Sequence, residues 1–395
     1  MAHEALITSP FGVGAVITAL IALSFWLDRK FRLFSFLGTA IMTITGGAVL
    51  VNLELIPAAV VDESETLNPI YVFANDYGIP IAIVLLLLSA DLRSLTRLGK
   101  PALIAFVLGA LGTAGGSLIG VWITAGDIGE EAWKVGGQFA ASYIGGGINY
   151  AAVGDALGTS ATMFATGAAA DNIMTNVWMV MTAILPAILF RFYPSIRQRG
   201  INESRDASGD LWNKKEVTIY DMTTLIAVTF VIVAVADWVT PWISEKLGID
   251  IPTVILYSTL ALIVSAVTPI QRFQGGEDIG NFILHFFFAT MGAGTILSAL
   301  VDKGPVVFLF LVVVILCHGI IVFGLGRLFK VEVEMLAVAS QACVGGPSTA
   351  LALASSKGWF SLMTPAVILG VLGYAVGNYV GITMGYLMKW LLAGG

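Results

Sequence analysis

The sequence predicts an all-α polytopic membrane protein made of two inverted five-span repeats, each with a glycine-tipped re-entrant hairpin, or broken helix, before its last span. Three observations carry that expectation. Apolar runs of about twenty residues recur along the 395-residue chain, which is 57% hydrophobic and only 12% charged, against roughly 25% charged in soluble domains. The loops between these runs alternate in the sign of their charge. A glycine interruption, Ile144-Gly145-Gly146-Gly147-Ile148-Asn149, is answered in the second half by Val344-Gly345-Gly346-Pro347-Ser348-Thr349.

The first four spans fall at residues 5–26, 33–57, 70–90 and 102–125. The loops that follow, 28–32, 61–68, 91–100 and 127–134, are basic, acidic, basic and acidic. Basic loops stay in the cytoplasm, so the N-terminus is expected outside. It has no basic n-region or clear cleavage site, and the first run reads as a retained span. The glycine stretch 135–157 then starts from the outside. A long helix at 159–190 follows, leading into a basic, cytoplasmic connector at 191–216. That helix alone supplies the crossing from outside to inside, so parity requires the glycine stretch to enter and leave on one side. Each limb of about ten residues reaches ~15 Å, half of a ~30 Å hydrocarbon core.

The second half repeats the plan, with spans at 218–240, 251–270, 279–300 and 305–326, a glycine stretch at 335–356 and a last helix at 359–390. Five spans per half is an odd number, so the second half is inverted relative to the first. The expected organisation is residues 1–190 as one repeat, 191–216 as connector and 217–395 as the other repeat. Lys134, Lys246, Lys303 and Lys389 are the cations this topology leaves outside. The four-residue stripes Gly112, Gly116, Gly120 and Gly373, Gly377, Gly381, Gly385 are expected to let helices approach closely.

Broken backbone in hydrocarbon survives only against protein or a watery cavity. A break followed by polar residues therefore predicts a solute site at Gly145, Gly146, Gly147 and Asn149 in the first half. Gly345, Gly346, Ser348 and Thr349 form its counterpart. Pro347 after Gly346 is a good helix start, and the free N–H groups there suit a carboxylate. Asp171, deep in the fifth span, is the coupling-ion residue, as a Na⁺ ligand or an H⁺ carrier. Thr175 lies one turn on, Asn172 and Asn176 are on the next stripe, and Asn378 is at the comparable place in the last helix. Asp155 in the first hairpin faces either the cavity or the interface, while Asp76 is expected to be solvated. His285 and His318 read as packing histidines, and Lys357 as an interfacial lysine. Cys343, two residues before Gly345, is expected to line the cavity, with Cys317 in a plain span.

The two inverted halves, each with a GG-containing loop before its fifth span, resemble the bacterial sodium–glutamate symporters, which are ion-coupled carriers of small organic anions. The phrase SYIGGGINYAAVGDALG with the later AAADN resembles the YjcL-like family of bacterial membrane proteins over essentially the whole chain. That family brings no substrate with it, and the GGPST of the second loop departs from the symporters. The expected function is an ion-coupled transporter, driven by Na⁺ or H⁺, for an amino acid, small peptide or organic acid. A cation/proton antiporter of the same superfamily is the alternative.

Other classes find no support. There is no HExxH, GxSxG or usefully spaced Cys–His pair, so an enzyme is not expected, nor any cofactor beyond the coupling ion. No basic patch points to nucleic acid, and two cysteines in apolar segments do not make a disulfide framework. The expected partners are the solute, the lipid bilayer and a second copy in a homodimer, in the bacterial cytoplasmic (inner) membrane.

Overall fold

A computed structural model describes residues 5–31, 34, 38–59, 67–90, 98–194, 216–248, 251–294 and 297–394. Most of the connector, 195–215, lies outside the described residues. The chain is an all-α polytopic membrane protein. In the first half the helices are α1 (Pro10–Lys30), α2 (Thr39–Asn52), α3 (Pro69–Ser89), α4 (Lys100–Ile128), α5 (Ala132–Gly145), α6 (Gly147–Ala156) and α7 (Ala161–Leu189). In the second they are α8 (Ile219–Leu247), α9 (Thr253–Val267), α10 (Gly276–Ala293), α11 (Leu297–Leu328), α12 (Val333–Ser356) and α13 (Met363–Leu392). Among the described residues, eight stretches, the broken α12 among them, are long and apolar enough to cross a membrane.

Local chemistry sets the helix ends. Ser9 caps α1 by accepting from the Gly12 N–H at 3.2 Å, with Pro10 at the first helical position. Thr218 and Asp221 form a capping box on α8. The second helix of each half is short, 14 residues in α2 and 15 in α9. At ~1.5 Å per residue these span only ~21–23 Å, less than the spans expected at 33–57 and 251–270. One boundary moves: residues 297–304, expected to end the third span or form a loop, are the start of α11, which runs through Pro305.

The order of elements repeats, but packing does not follow the two halves. Helices α1–α3 pack with α8–α10, and α4–α7 pack with α11–α13. The glycine stripes are the seams of the second group. A Cβ at Gly112, Gly116 or Gly120 would stand 2.7–2.9 Å from His318, Val314 or Phe310 of α11. Gly381 and Gly385 meet the backbone of Gly137 on α5, and Gly373 meets the Ile144 carbonyl. Backbones this close leave no room for side chains.

The first glycine stretch is a hairpin. Lys134 Nζ donates to the Gly158 carbonyl at 2.6 Å, and Gln138 Nε2 donates to the Tyr150 carbonyl at 3.2 Å. Glu131 closes the base by accepting from Ser160 N and Oγ at 2.8 and 2.6 Å. The limbs therefore run antiparallel and both ends lie beside the start of α7. That helix has 29 residues, roughly 43 Å of rise. Just beyond its far end, the Val333 N–H at the start of α12 donates to the Pro194 carbonyl at 3.1 Å. The two glycine-broken elements thus begin at opposite ends of α7.

Candidate functional site

The breaks have one geometry. Gly146 has φ 83°, ψ −173°, and Gly346 has φ 77°, ψ −171°. This is a region that essentially only glycine populates, so the single residue turns the chain while helix continues on either side. The breaks also adjoin: a Cβ on Gly146 would lie 3.5 Å from the Gly346 Cα. The Tyr374 ring of α13 lies 3.7 Å from the corresponding position of each glycine. Two helix starts, α6 and the second arm of α12, therefore meet at the centre of the α4–α7/α11–α13 group.

Around this meeting point the expected solute residues separate into roles. Gly147 and Ser348 are exposed, and nothing lies within 4 Å of a Cβ on Gly147. Gly145 is filled from outside itself, by the Asn149 side chain and the Gly373 backbone. Gly345 likewise accommodates the Thr349 hydroxyl and Gln341. Asn149 is buried; its Nδ2 donates to Asn378 Oδ1 at 2.7 Å and to the Tyr374 carbonyl at 3.2 Å. Asn378 Nδ2 in turn donates to Ser258 Oγ at 3.1 Å, so Asn378 joins Asn149 rather than Asp171. Thr349 Oγ1 donates to the Gly346 carbonyl at 3.2 Å.

Several polar atoms at the tips have no partner among the described residues: Asn149 Oδ1, Gln341 Nε2 and the Tyr143 hydroxyl, all buried. Burying such atoms costs roughly 1–3 kcal/mol each. All three lie within five residues of a glycine break.

Asp171 and Thr175 come together as expected, with Thr175 Oγ1 donating to Asp171 Oδ1 at 3.4 Å. The structure adds Ser142, whose Oγ donates to Asp171 Oδ2 at 3.2 Å, and Tyr143, whose phenol points at Asp171 and Thr175. Both precede the Gly146 break. Sequence reasoning missed them, although Ser142 and Tyr143 are the polar residues nearest the break on its N-terminal side. Asn172 and Asn176 turn elsewhere. Asn172 Oδ1 stands 3.0 Å from the Cβ position of Gly38, which precedes α2, and Asn176 Nδ2 donates to the Asn172 carbonyl at 2.8 Å.

The lone histidines are tied into packing. Thr113 Oγ1 donates to the Tyr143 carbonyl at 2.9 Å, so towards His318 Nδ1, also at 2.9 Å, it acts as acceptor. Nδ1 therefore carries the proton, and the Gly109 carbonyl at 3.1 Å is a second acceptor for it. His318 Nε2 then accepts from Ser340 Oγ at 2.8 Å, which accepts from Trp178 Nε1 at 2.9 Å. A neutral His318 satisfies every member of this buried chain. His285 is held by the Asn281 carbonyl at 2.7 Å and Thr39 Oγ1 at 3.0 Å. Asp76, Asp155 and Lys357 are exposed.

Cys343 corrects an expectation. It is fully buried, its Sγ 2.9 Å from the Cβ position of Gly109 on α4, whereas Cys317 is partly exposed. One step of ~100° on a helix separates a cavity-facing position from one that faces a neighbour. A small thiol reagent is accordingly expected to leave Cys343 unmodified in the folded protein and to reach it only on unfolding. Mass spectrometry after labelling in detergent checks this, and rapid native labelling of Cys343 would contradict its placement.

A polytopic helical protein with two facing glycine breaks is the class defined by this geometry. The model of the family described as "Protein of unknown function (DUF819)" matches residues 15–391, and the chain belongs to that family. It is also similar to the uncharacterized membrane protein YjcL of Bacillus subtilis (strain 168), 29% identical over 378 residues, which is 92% of this chain and 93% of the relative.

Proposed function

We propose that this protein is an ion-coupled secondary transporter, a symporter for a small carboxylate-bearing solute such as an amino acid, small peptide or organic acid, driven by Na⁺ or H⁺. The observation that carries this reading is the pair of facing breaks. Each begins a ten-residue helical arm whose first N–H groups and positive dipole end are directed to the centre. The exposed positions Gly147 and Ser348 would admit the solute, and the donor-rich tips favour an anionic group. Asp171, one carboxylate among neutral hydroxyls, would be neutralised by one monovalent ion. Among the described residues, no three His, Cys, Asp or Glu side chains gather as a multivalent metal site would require.

Glycine-broken elements beginning at opposite ends of α7 support an inverted repeat working by alternating access in a bacterial inner membrane. All four lysines left outside by that topology have partners: Lys246 Nζ donates to the adjacent Glu245 carboxylate at 3.0 Å, and the other three meet groups elsewhere in the fold. Lys303 Nζ donates to the Asp127 carbonyl at the C-terminal end of α4 at 2.6 Å, Lys134 binds the Gly158 carbonyl, and Lys389 lies 4.7 Å over the Trp133 ring. A reporter fused after Gly200 is expected to be cytoplasmic, and reporters at both termini external. A cytoplasmic C-terminal reporter would sink the inverted arrangement.

The function is tested in proteoliposomes. Under an imposed Na⁺ or H⁺ gradient, a mixture of amino acids, dipeptides and carboxylates is offered and the lumen assayed by mass spectrometry. Accumulation of one class under one gradient is the expected result. Na⁺/H⁺ exchange without solute uptake would replace the symporter by the antiporter.

A further inference from the structure

We infer that Ser142, Tyr143 and Thr175 complete a four-oxygen Na⁺ site on Asp171, through which ion binding sets the position of the Gly146 break. The inference rests on the transporter reading for its use, while the site itself stands on its own geometry.

Both Asp171 oxygens receive hydroxyls, but at 3.2 Å from Ser142 and 3.4 Å from Thr175. These are long for O–H···O bonds, which cluster near ~2.7–2.8 Å. The third hydroxyl, on Tyr143, is fully buried and faces the same carboxylate and Thr175, outside good hydrogen-bond geometry. Three hydroxyls from two helices thus face one carboxylate, none of them at the short distance of a tight O–H···O bond. One carboxylate and three hydroxyl oxygens are hard ligands, and hydroxyls can turn a lone pair to an ion that they would otherwise face with a proton. One negative charge matches one monovalent cation and leaves no net charge buried.

Two of the four ligands lie on the α5 limb immediately before the break. The Gly146 N–H donates to the Ser142 carbonyl at 2.5 Å, and Tyr143 has non-helical backbone angles (φ −89°, ψ 19°). Drawing Ser142 and Tyr143 onto an ion therefore acts through one hydrogen bond on the residue that turns the chain and aims the α6 N–H groups. Ion and solute would each favour the tip geometry that the other needs, which is positive coupling.

Tyr143→Phe separates this from a structural role by sign. The phenol makes no well-formed hydrogen bond among the described residues, so its removal gives up little and takes one polar group out of the interior. Thermal unfolding of the purified full-length protein is compared in NaCl and in N-methyl-D-glucamine chloride at equal ionic strength. Without Na⁺, Tyr143→Phe is expected to unfold at or above the wild-type temperature. With Na⁺, its stabilisation should need about tenfold more ion than wild type, corresponding to about 1.4 kcal/mol. Ser142→Ala should raise the Na⁺ requirement similarly.

A wild-type Na⁺ response retained by both variants would overturn the inference, as would equal destabilisation of Tyr143→Phe in both salts. If Asp171→Asn removes the Na⁺ response while the hydroxyl variants keep it, the shell is wrong and Na⁺ coupling at Asp171 stands. No Na⁺ response in wild type, with uptake following a proton gradient, also rejects the site and leaves the transporter reading intact. The converse, a hydroxyl-dependent Na⁺ response without gradient-driven solute uptake, supports the site and rejects the transporter.

Discussion

Asp171→Asn is expected to leave the protein folded and to abolish ion-driven accumulation of its solute. The substitution preserves shape and keeps one acceptor for the hydroxyls of Ser142 and Thr175, which hold the carboxylate only loosely at 3.2 and 3.4 Å. It removes the one charge of the shell. A carboxylate at this depth is costly to keep ionised without a cation, so in ion-free buffer the amide should be at least as stable as the native residue. The ion, by contrast, loses its counter-charge in a poorly solvated place. Breaking a buried charge pair typically costs ~3–5 kcal/mol, which predicts a fall in ion-stimulated uptake on the order of 100-fold or more. Uptake into proteoliposomes with and without the gradient reads this directly, with thermal unfolding as the control for folding. Unaltered ion dependence in the variant would remove Asp171 from the mechanism.

Much of the architecture was legible because adjacent glycines in apolar sequence, three at the first tip and two at the second, have few physical explanations. Gly146 and Gly346 carry matching backbone turns, and charge parity required the hairpin that the Lys134–Gly158 and Gln138–Tyr150 bonds describe. Which glycine of each group turns the chain was not legible, since all have the same conformational freedom and only the surroundings distinguish them. The pairing of Asn149 with Asn378 joins residues 229 positions apart, and no periodicity reveals it. Asp171 and Thr175 could be joined by helical spacing, whereas Ser142 and Tyr143 reach them from another element. Cys343 fell on a different side of its helix from the one expected, because sequence distance from a break does not give helical phase. The start of α11 was misjudged at Pro305, since proline ends helices readily in water but is tolerated inside membrane helices.

The three adjacent glycines of the first tip should respond differently to alanine. Gly145→Ala puts a methyl group into the Asn149 side chain and the Gly373 backbone. The backbone of α13 cannot rotate away as a side chain would, so a cost of roughly 1–3 kcal/mol or more is expected from overpacking, with the Asn149–Asn378 bond disturbed. Gly146→Ala meets no close contact, since the nearest atom is 3.5 Å away, but forces alanine to φ 83°. That strain costs of order 1–3 kcal/mol or is relieved by straightening the break, and either result removes the tip. Gly147→Ala has open space and a helical position, where alanine is favoured over glycine by roughly 0.5–1 kcal/mol. It should fold as well as wild type or better, and impair only solute uptake, because the methyl group enters the exposed approach to the α6 N–H groups. Gly346→Ala should repeat the second outcome in the second tip, whereas Gly345→Ala meets only the side chains of Thr349 and Gln341, which can shift, and should cost less than Gly145→Ala. Thermal unfolding and uptake measured on the same preparations separate the cases. If Gly147→Ala lowered the unfolding temperature as much as Gly145→Ala, residue 147 would be packed rather than open, and the solute could not enter beside the first turn of α6.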